Sequence, residues 1–177
     1  MLYRKKENMA SYDRLKLYYV EDKYIDYLRQ YDKIVPYNKS TTRPYIGIVY
    51  TYNNFNYFAP LSSPKPKHLK LNKKAVDIWK ILDGKLGLVN FNNMIPCPIE
   101  TLKEVLPMVT DEKYKNLLED QISSLNADRE RLLNKINTFQ SRYRSGKLDF
   151  RIKERCCDFE LLEEKCKEYS KNMISGR

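Results

Sequence analysis

The chain has little of the material from which metal centres, disulfide frameworks and membrane spans are built. It contains one histidine and four cysteines, and no run of apolar residues approaches the roughly 18–20 that cross a bilayer. The cysteines form no C-x-x-C pair and one histidine cannot complete a zinc site, so we expect reduced thiols and no metal. The polar N-terminus argues against a signal peptide. These features favour a cytoplasmic protein that needs no cofactor.

Basic residues are in clear excess over acidic ones. The chain carries 33 lysines and arginines against 23 aspartates and glutamates, a formal net charge of +10. Such an excess favours a polyanionic partner, nucleic acid before an anionic membrane surface. The 15 tyrosines strengthen the case for nucleic acid, because each offers a ring for base stacking and a hydroxyl for phosphate. No predicted helix has the wholly basic face of a membrane-surface protein.

The length of 177 residues is sufficient for one domain with its own core. Residues 1–13 are charged and lack periodicity, so we predict a flexible N-terminal arm there. The remaining pattern predicts a single domain over residues 14–172. Its short β-rich runs and long amphipathic runs predict an α+β fold, with a small, mainly antiparallel sheet and helices at one side or end.

Four segments have the composition of strands: residues 15–20, 45–52, 55–61 and 85–91. Asn53 and Asn54 join the middle two, and because asparagine tolerates positive φ the pair predicts a tight hairpin. The segment around Pro96 is too strongly marked by proline to be a central strand.

Three helices are predicted. The first opens at Glu21-Asp22 and presents an apolar, aromatic face. A long helix begins at Thr110-Asp111-Glu112 and continues to Ser145-Gly146, and a return helix begins near Asp158. Apolar residues of the long helix keep a 4-3 spacing, with Arg129 at the one skipped position. These helices could form a coiled-coil dimer, but packing against the sheet is favoured.

The most informative chemistry lies in residues 58–68. An apolar strand ends there in Ser62 and Ser63, and a proline-stiffened turn then presents Lys65. Serine hydroxyls can hold phosphate oxygens, and lysine supplies a charge that gains value as negative charge builds on a phosphorane. The segment therefore predicts a phosphodiester site. The alternative is a plain polar loop that leaves a strand.

Further groups could complete such a site. Arg43, on the loop before the hairpin, could clamp a phosphate through two hydrogen bonds. Tyr24, near the start of the first helix, could orient a phosphate or stack on a base. His68 is an acid–base candidate whose basic neighbours should lower its pKa. The residues predicted to hold an RNA strand are Lys39, Lys67, His68, Lys70, Lys73 and Lys74.

The distribution of carboxylates disfavours a metal-dependent nuclease, which needs acidic or histidine side chains around its ion. Residues 45–68 contain no acidic side chain, and the carboxylates lie almost wholly on predicted helices. RNA supplies its own nucleophile, the 2′-hydroxyl, so an RNase needs only a base, a charge stabiliser and a proton source. The residues alone leave the general base and acid open. A non-catalytic RNA-binding module would fit the same charge and tyrosine content.

Seven segments resemble, in order, the ToxN/AbiQ family of endoribonuclease toxins from type III toxin–antitoxin and phage abortive-infection systems. The resemblance extends from about residue 16 to residue 169. The segments are KYIDYL at 23–28, VP at 35–36, RPYIGI at 43–48, FAPLSSPK at 58–65, LGLVN at 86–90, NMIP at 93–96, and CDF with LEEK at 157–165.

This resemblance implies a compact, strongly twisted antiparallel sheet with surrounding helices, similar to the MazF and Kid toxins. It implies metal-independent cleavage of single-stranded RNA, cellular or phage mRNA included, to a 2′,3′-cyclic phosphate and a 5′-hydroxyl. The implied inhibitor is an RNA of short tandem repeats folded as pseudoknots. The toxin would cut the repeat precursor and stay bound to the product in a closed assembly with several copies of each.

By the same resemblance, the family's hydroxyl-Ser-x-Lys segment falls on Ser62, Ser63 and Lys65. Its helix tyrosine falls on Tyr24 and its basic residue before the second strand on Arg43. Serine stands at 62 where the family usually has threonine, and the Oγ donor is kept. A MazF-like toxin opposed by a protein partner is the alternative within toxins.

Overall fold

The computed structural model describes residues 14–176, so the predicted arm at 1–13 lies outside the described residues. Seven strands form one antiparallel sheet in the order β4-β5-β3-β2-β1-β7, with β6 paired to β3. The strands are β1 (Lys16–Val20), β2 (Tyr45–Tyr52), β3 (Phe55–Ser62), β4 (Ile78–Lys80), β5 (Leu88–Asn90), β6 (Ile95–Pro96) and β7 (Leu102–Glu104). The predicted α+β class and antiparallel sheet are confirmed.

In the described part of the chain, six α-helices surround the sheet, together with three short 3-10 helices. The α-helices are α1 (Asp22–Tyr31), α2 (Pro66–Lys70), α3 (Glu112–Ala127), α4 (Arg129–Arg144), α5 (Phe150–Lys153) and α6 (Phe159–Ser175). Within the described residues, every helix is too short or too polar to cross a lipid bilayer.

Strands β2 and β3 form the hairpin that the sequence predicts. Asn53 and Asn54 both adopt positive φ, 47° and 67°, the conformation that asparagine tolerates and that matches the twist of the flanking strands. The ladder runs from Tyr52 opposite Phe55 to Tyr45 opposite Pro60, with one irregularity between them. The hairpin therefore fixes which residues of β2 lie beside the end of β3.

The helices pack against the sheet rather than forming a dimer seam of their own. Helix α4 contacts β2, and α6 contacts β6 and α1. Tyr24, Ile25 and Leu28 of α1 are buried, whereas Tyr31, predicted for the same face, is 44% exposed. The core shared by sheet and helices includes the large buried side chains Tyr45, Tyr57, Phe58, Phe91, Phe139 and Phe159.

The single long helix predicted from 110 to 145 is wrong, because the chain breaks at Asp128. Asp128 has φ −99° and ψ 14°, outside helical geometry, and Arg129 begins a second helix. The charged position skipped by the 4-3 spacing is thus the first residue after the break. Each helix keeps its own apolar face, and Leu125 and Leu132 on the two sides of the break are fully buried.

The predicted strand at 85–91 is shortened to β5 for a local reason. Gly87, at φ +102°, cannot continue an extended strand, so pairing begins only at Leu88. The segment around Pro96 forms the two-residue β6 beside β3, off the main strand order, consistent with the expectation that it is no central strand.

One buried polar network joins the hairpin end of the sheet to two helices. Arg144 Nη2 of α4 and the Tyr57 hydroxyl of β3 each donate to Glu163 Oε1 of α6 at 2.6 Å. The Arg144 and Glu163 side chains are 14% and 11% exposed, so water screens the pair little. Arg144 also lies over the ring of Tyr52, 3.6 Å from its centroid.

We predict that Glu163→Ala lowers the free energy of unfolding by about 3–5 kcal/mol, because it leaves a buried guanidinium without its partner. The matched control is Glu164→Ala, one residue along α6, which removes the exposed carboxylate of a pair with Lys165. Because Lys165 keeps its second partner Glu168, this change should cost about 0–1 kcal/mol. Urea titration of both variants makes the comparison. Equal losses for the two substitutions would contradict a stabilising role for the buried network.

Candidate active site at the end of strand β3

Ser62, the last residue of β3, lies between two neighbouring strands. On one side the Leu61 N–H donates to Pro44 O at 2.9 Å, and continuing this antiparallel register brings the backbone of Arg43 beside Ser62. On the other side Ser62 pairs with Leu88 of β5. The sheet therefore assembles the predicted hydroxyl and the predicted arginine at one edge.

The Ser62 hydroxyl has a partner that the sequence reasoning missed. Asn90, at the end of β5, places its Nδ2 at 2.9 Å from Ser62 Oγ. The contact joins residues 28 positions apart and depends on β5 lying next to β3, so no local pattern reveals it. The signal available was a polar side chain ending a short apolar strand in the segment 86–90.

The loop before β5 approaches the backbone of Ser62 very closely. A Cβ on Gly87 would lie 2.0 Å from Ser62 O, so a side chain here would displace the serine. The buried Gln121 of α3, 2% exposed, donates from Nε2 to Leu86 O at 2.7 Å. Helix α3 thus holds the loop against the site through one amide.

Ser63, Pro64 and Lys65 follow as an exposed turn. Lys65 is extended, at φ −140° and ψ 145°, and precedes Pro66, the first residue of α2. Its carbonyl accepts from the His68 N–H at 2.9 Å, which fixes the turn at its end. Within the part of the chain that the structure describes, no carboxylate pairs with Lys65, so the ammonium is available to an anion.

Arg43 is held by its own loop. Its Nε donates to Tyr37 O at 2.8 Å, and among residues 14–176 it forms no salt bridge. The loop is anchored by Asp22, whose carboxylate accepts from the Thr41 hydroxyl at 2.7 Å and the Thr41 N–H at 3.0 Å. The hydrogen bond from the Thr41 hydroxyl is the main cause that lowers the pKa of Asp22, against some desolvation.

The lysines predicted to hold RNA are exposed and lie on the chain segments next to Arg43 and Lys65: Lys39, Lys67, Lys70, Lys73 and Lys74. Lys39 is on the Arg43 loop, and the others follow the Lys65 turn. Lys73 pairs with the exposed Asp83 at 2.8 Å. Lys80, which the sequence reasoning did not select, donates to Leu69 O and Leu71 O at 3.0 Å and ties this segment to β4.

His68 was predicted to contact RNA from an open loop, and the structure corrects this. The side chain is 2% exposed in α2, and its Nδ1 is buried without a hydrogen-bond partner. Its pKa is lowered, as expected, but burial is the first cause and the charges of Lys67, Lys65 and Lys80 come second. His68 therefore lies beneath the basic surface and is not exposed for contact with an RNA strand.

Tyr24 was predicted to contact a phosphate or a base, and the structure corrects this too. It is fully buried, and its hydroxyl donates to Pro96 O at 2.6 Å. Pro96 pairs with Tyr57, and Tyr57 and Ser62 are separated by about 17 Å along the strand at ~3.4 Å per residue. Burial raises the pKa of the Tyr24 hydroxyl well above its ordinary value. Tyr24 is a core residue that anchors α1 to β6.

The site thus brings together Ser62, Ser63, Lys65 and Arg43, with Asn90 as an added neighbour. In the described range, no three histidine, cysteine, aspartate or glutamate side chains come together as metal ligands would. The arrangement offers hydroxyl donors and cations at one strand end, a combination suited to a phosphate group.

Comparison with known proteins shows which family this chain resembles. The sequence model of the family described as Toxin ToxN, type III toxin-antitoxin system, matches residues 16–167. Endoribonuclease ToxN of Bacillus thuringiensis subsp. kurstaki is 36% identical over 91% of this chain and 87% of its own length. Endoribonuclease AbiQ of Lactococcus lactis subsp. lactis is 32% identical over 89% of this chain and 90% of its own length.

Solved structures agree with the sequence comparison. The structure of AbiQ, a lactococcal anti-phage endoribonuclease of a type III toxin-antitoxin system, is 30% identical with a TM-score of 0.77, covering 89% of this chain and 99% of that one. A structure describing selective toxin inhibition by a non-coding RNA pseudoknot in type III systems is 34% identical with a TM-score of 0.74, covering 89% and 99%. With the family model spanning almost all of the described residues, the chain belongs to the ToxN toxin family of type III toxin–antitoxin systems.

Proposed function

We propose that this endoribonuclease cleaves single-stranded RNA without a metal ion, by attack of the 2′-hydroxyl on the adjacent phosphorus. The observation that carries the proposal is the set of cations and hydroxyls at the end of β3. Lys65 lacks a carboxylate partner among the described residues, and Ser62, Ser63 and Arg43 lie at the same edge. These are the groups that hold and stabilise a reacting phosphodiester.

The chemistry forms one bond and breaks another at phosphorus. The 2′-oxygen bonds to phosphorus as its proton leaves to a base, and the bond from phosphorus to the 5′-oxygen breaks as that oxygen gains a proton. The products are a 2′,3′-cyclic phosphate and a 5′-hydroxyl. Ser62 and Ser63 would donate to the non-bridging oxygens, Lys65 would balance the charge that develops on the phosphorane, and Arg43 would clamp a phosphate.

We also propose that an RNA inhibits this enzyme over the same basic surface. Related solved structures describe a processed non-coding RNA that regulates an antiviral system and a pseudoknot RNA that inhibits its toxin. A repeat RNA folded as a pseudoknot would be cut at this site and held there in a closed assembly of several copies of each partner. The relatives give no support to the alternative of a protein antitoxin.

The proposed setting is phage defence in the cytoplasm, where cellular and phage mRNA would be the targets. One relative of known structure is an anti-phage endoribonuclease, which supports this role.

We predict that Lys65→Ala lowers the cleavage rate by a factor of about 10²–10³, because one charge stabiliser of the transition state is lost. The assay incubates single-stranded RNA with protein in excess EDTA and maps the ends of the products. Wild-type cleavage with cyclic-phosphate ends is the expected result. The matched control is Lys147→Ala, an exposed lysine after α4 that should keep the wild-type rate.

Two results would overturn the proposal. Cleavage that stops in EDTA and returns with Mg²⁺ would mean a metal-dependent reaction at another site. RNA that stays intact under both conditions but binds tightly would identify a non-catalytic binding module.

The lysines after the turn are predicted to act by neutralising phosphates. Replacing Lys67 and Lys70 with alanine should weaken binding of an RNA with a 2′-deoxy scissile nucleotide, most strongly at low salt. The slope of log K against log [salt] should become shallower by about 0.7 for each lost contact with a single strand. A titration series between low and moderate salt measures the slope for wild type and variant. An unchanged slope would remove these two lysines from the RNA path.

A further inference from the structure

We infer that Asn90 is a positioning residue. It orients the Ser62 hydroxyl so that this hydroxyl donates a hydrogen bond to a non-bridging oxygen of the scissile phosphate. The inference deepens the proposed function and rests on it. Asn90 itself would not touch the reacting atoms, since it acts through the serine.

The direction of the contact follows from a second acceptor. The Asn90 Nδ2 lies 2.9 Å from Ser62 Oγ and 3.4 Å from Pro60 O. A backbone carbonyl can only accept a hydrogen bond, so the NH₂ group of the amide, and not its oxygen, must face this side. The same NH₂ group then donates to Ser62 Oγ.

This hydrogen bond from Asn90 determines the direction of the Ser62 hydroxyl proton. A serine hydroxyl has one proton and can accept as well as donate. Because Asn90 occupies Ser62 Oγ as an acceptor, the hydroxyl proton is directed away from the amide. Residues 14–176 show no protein acceptor for that proton. Ser62 is only partly buried, so its hydroxyl is left as a donor for a phosphate oxygen.

The backbone that carries this amide is paired on two sides. Asn90 pairs with Ile78 of β4, and the adjacent Val89 pairs with Leu61 of β3. A donor on a backbone fixed by two strand ladders, and already bonded to Ser62 Oγ and Pro60 O, needs little reorganisation when charge develops on the phosphate. This is where a pre-oriented hydrogen bond contributes most. Aspartate has the same shape as asparagine, but as a carboxylate it can only accept, so it would turn the serine proton toward itself.

The test compares Asn90→Asp with Asn90→Ala in single-turnover cleavage at saturating enzyme, which separates chemistry from binding. Ser62→Ala should lower the rate about a hundredfold. Asn90→Asp should approach that loss, whereas Asn90→Ala, which frees the hydroxyl to rotate, should lose about tenfold. A purely structural role predicts the reverse order, because aspartate preserves volume and alanine leaves a gap.

A double-mutant cycle separates orientation from charge repulsion. In the Ser62→Ala background both Asn90 substitutions should change the rate by less than about twofold, because residues that act as one unit are not additive. Repulsion between the introduced carboxylate and RNA would persist in that background. The matched control is Asn92→Asp, which adds the same charge two residues away. There Asn92 Nδ2 donates to Arg155 O at 3.1 Å, away from Ser62, so this variant should keep the wild-type rate.

The results distinguish failure of the Asn90 role from failure of the proposed active site. A wild-type rate for Asn90→Asp, or full additivity with Ser62→Ala, overturns the role of Asn90 even when Lys65→Ala and Ser62→Ala are inactive. If Ser62→Ala and Lys65→Ala both cleave at the wild-type rate, the proposed site itself is wrong. Thermal unfolding of each variant shows that folding is intact, and either Asn90 variant alone suffices for the cycle.

Discussion

The pairing of β3 with strands on both of its edges sets where Ser62, Asn90 and the backbone of Arg43 meet. β3 is bonded to β2 along one edge and to β5 and β6 along the other, so its backbone cannot slide without breaking both ladders. A slip of one residue would turn Ser62 to the opposite face of the sheet. The register is secured by apolar burial, since Tyr57, Phe58 and Leu61 of the same strand lie in the core.

Local chemistry could be predicted from the sequence, and contacts that depend on sheet order could not. The Asn53-Asn54 turn and the position of Ser62 at the end of β3 are confirmed, because each depends on one short segment. The roles of Ser62, Ser63 and Lys65 stay predictions. Asn90 escaped prediction because its partner is brought near only by β5 lying next to β3. The prediction for Tyr24 was wrong because the sequence of an aromatic helix face is the same whether that face binds RNA or packs in the core. Packing against β6 buries Tyr24 in the core.

The electrostatic organisation separates two kinds of charge. In the described core, two largely buried carboxylates form ion pairs, Glu163 with Arg144 and Asp77 with Arg155. Among residues 14–176, the cations at the end of β3 have no such acidic partners apart from the exposed Lys73–Asp83 pair. Concentrated positive charge repels itself and costs stability, and the buried apolar core offsets that cost. Much of the excess positive charge in a chain of net charge +10 is thus unpaired near the end of β3, where a phosphate would bind.

The two ends of β3 differ in how strongly they are tied to the rest of the fold. The end near the Asn53-Asn54 turn is joined to α4 and α6 by the Arg144–Glu163–Tyr57 network, whereas the other end opens onto exposed loops. Substitution of the exposed Lys67 and Lys70 beyond that end therefore meets little resistance from folding, whereas substitution near Tyr57 is constrained by the buried network. A toxin whose RNA partner changes over generations can follow that change at one end of a single strand and inherit its scaffold unaltered at the other.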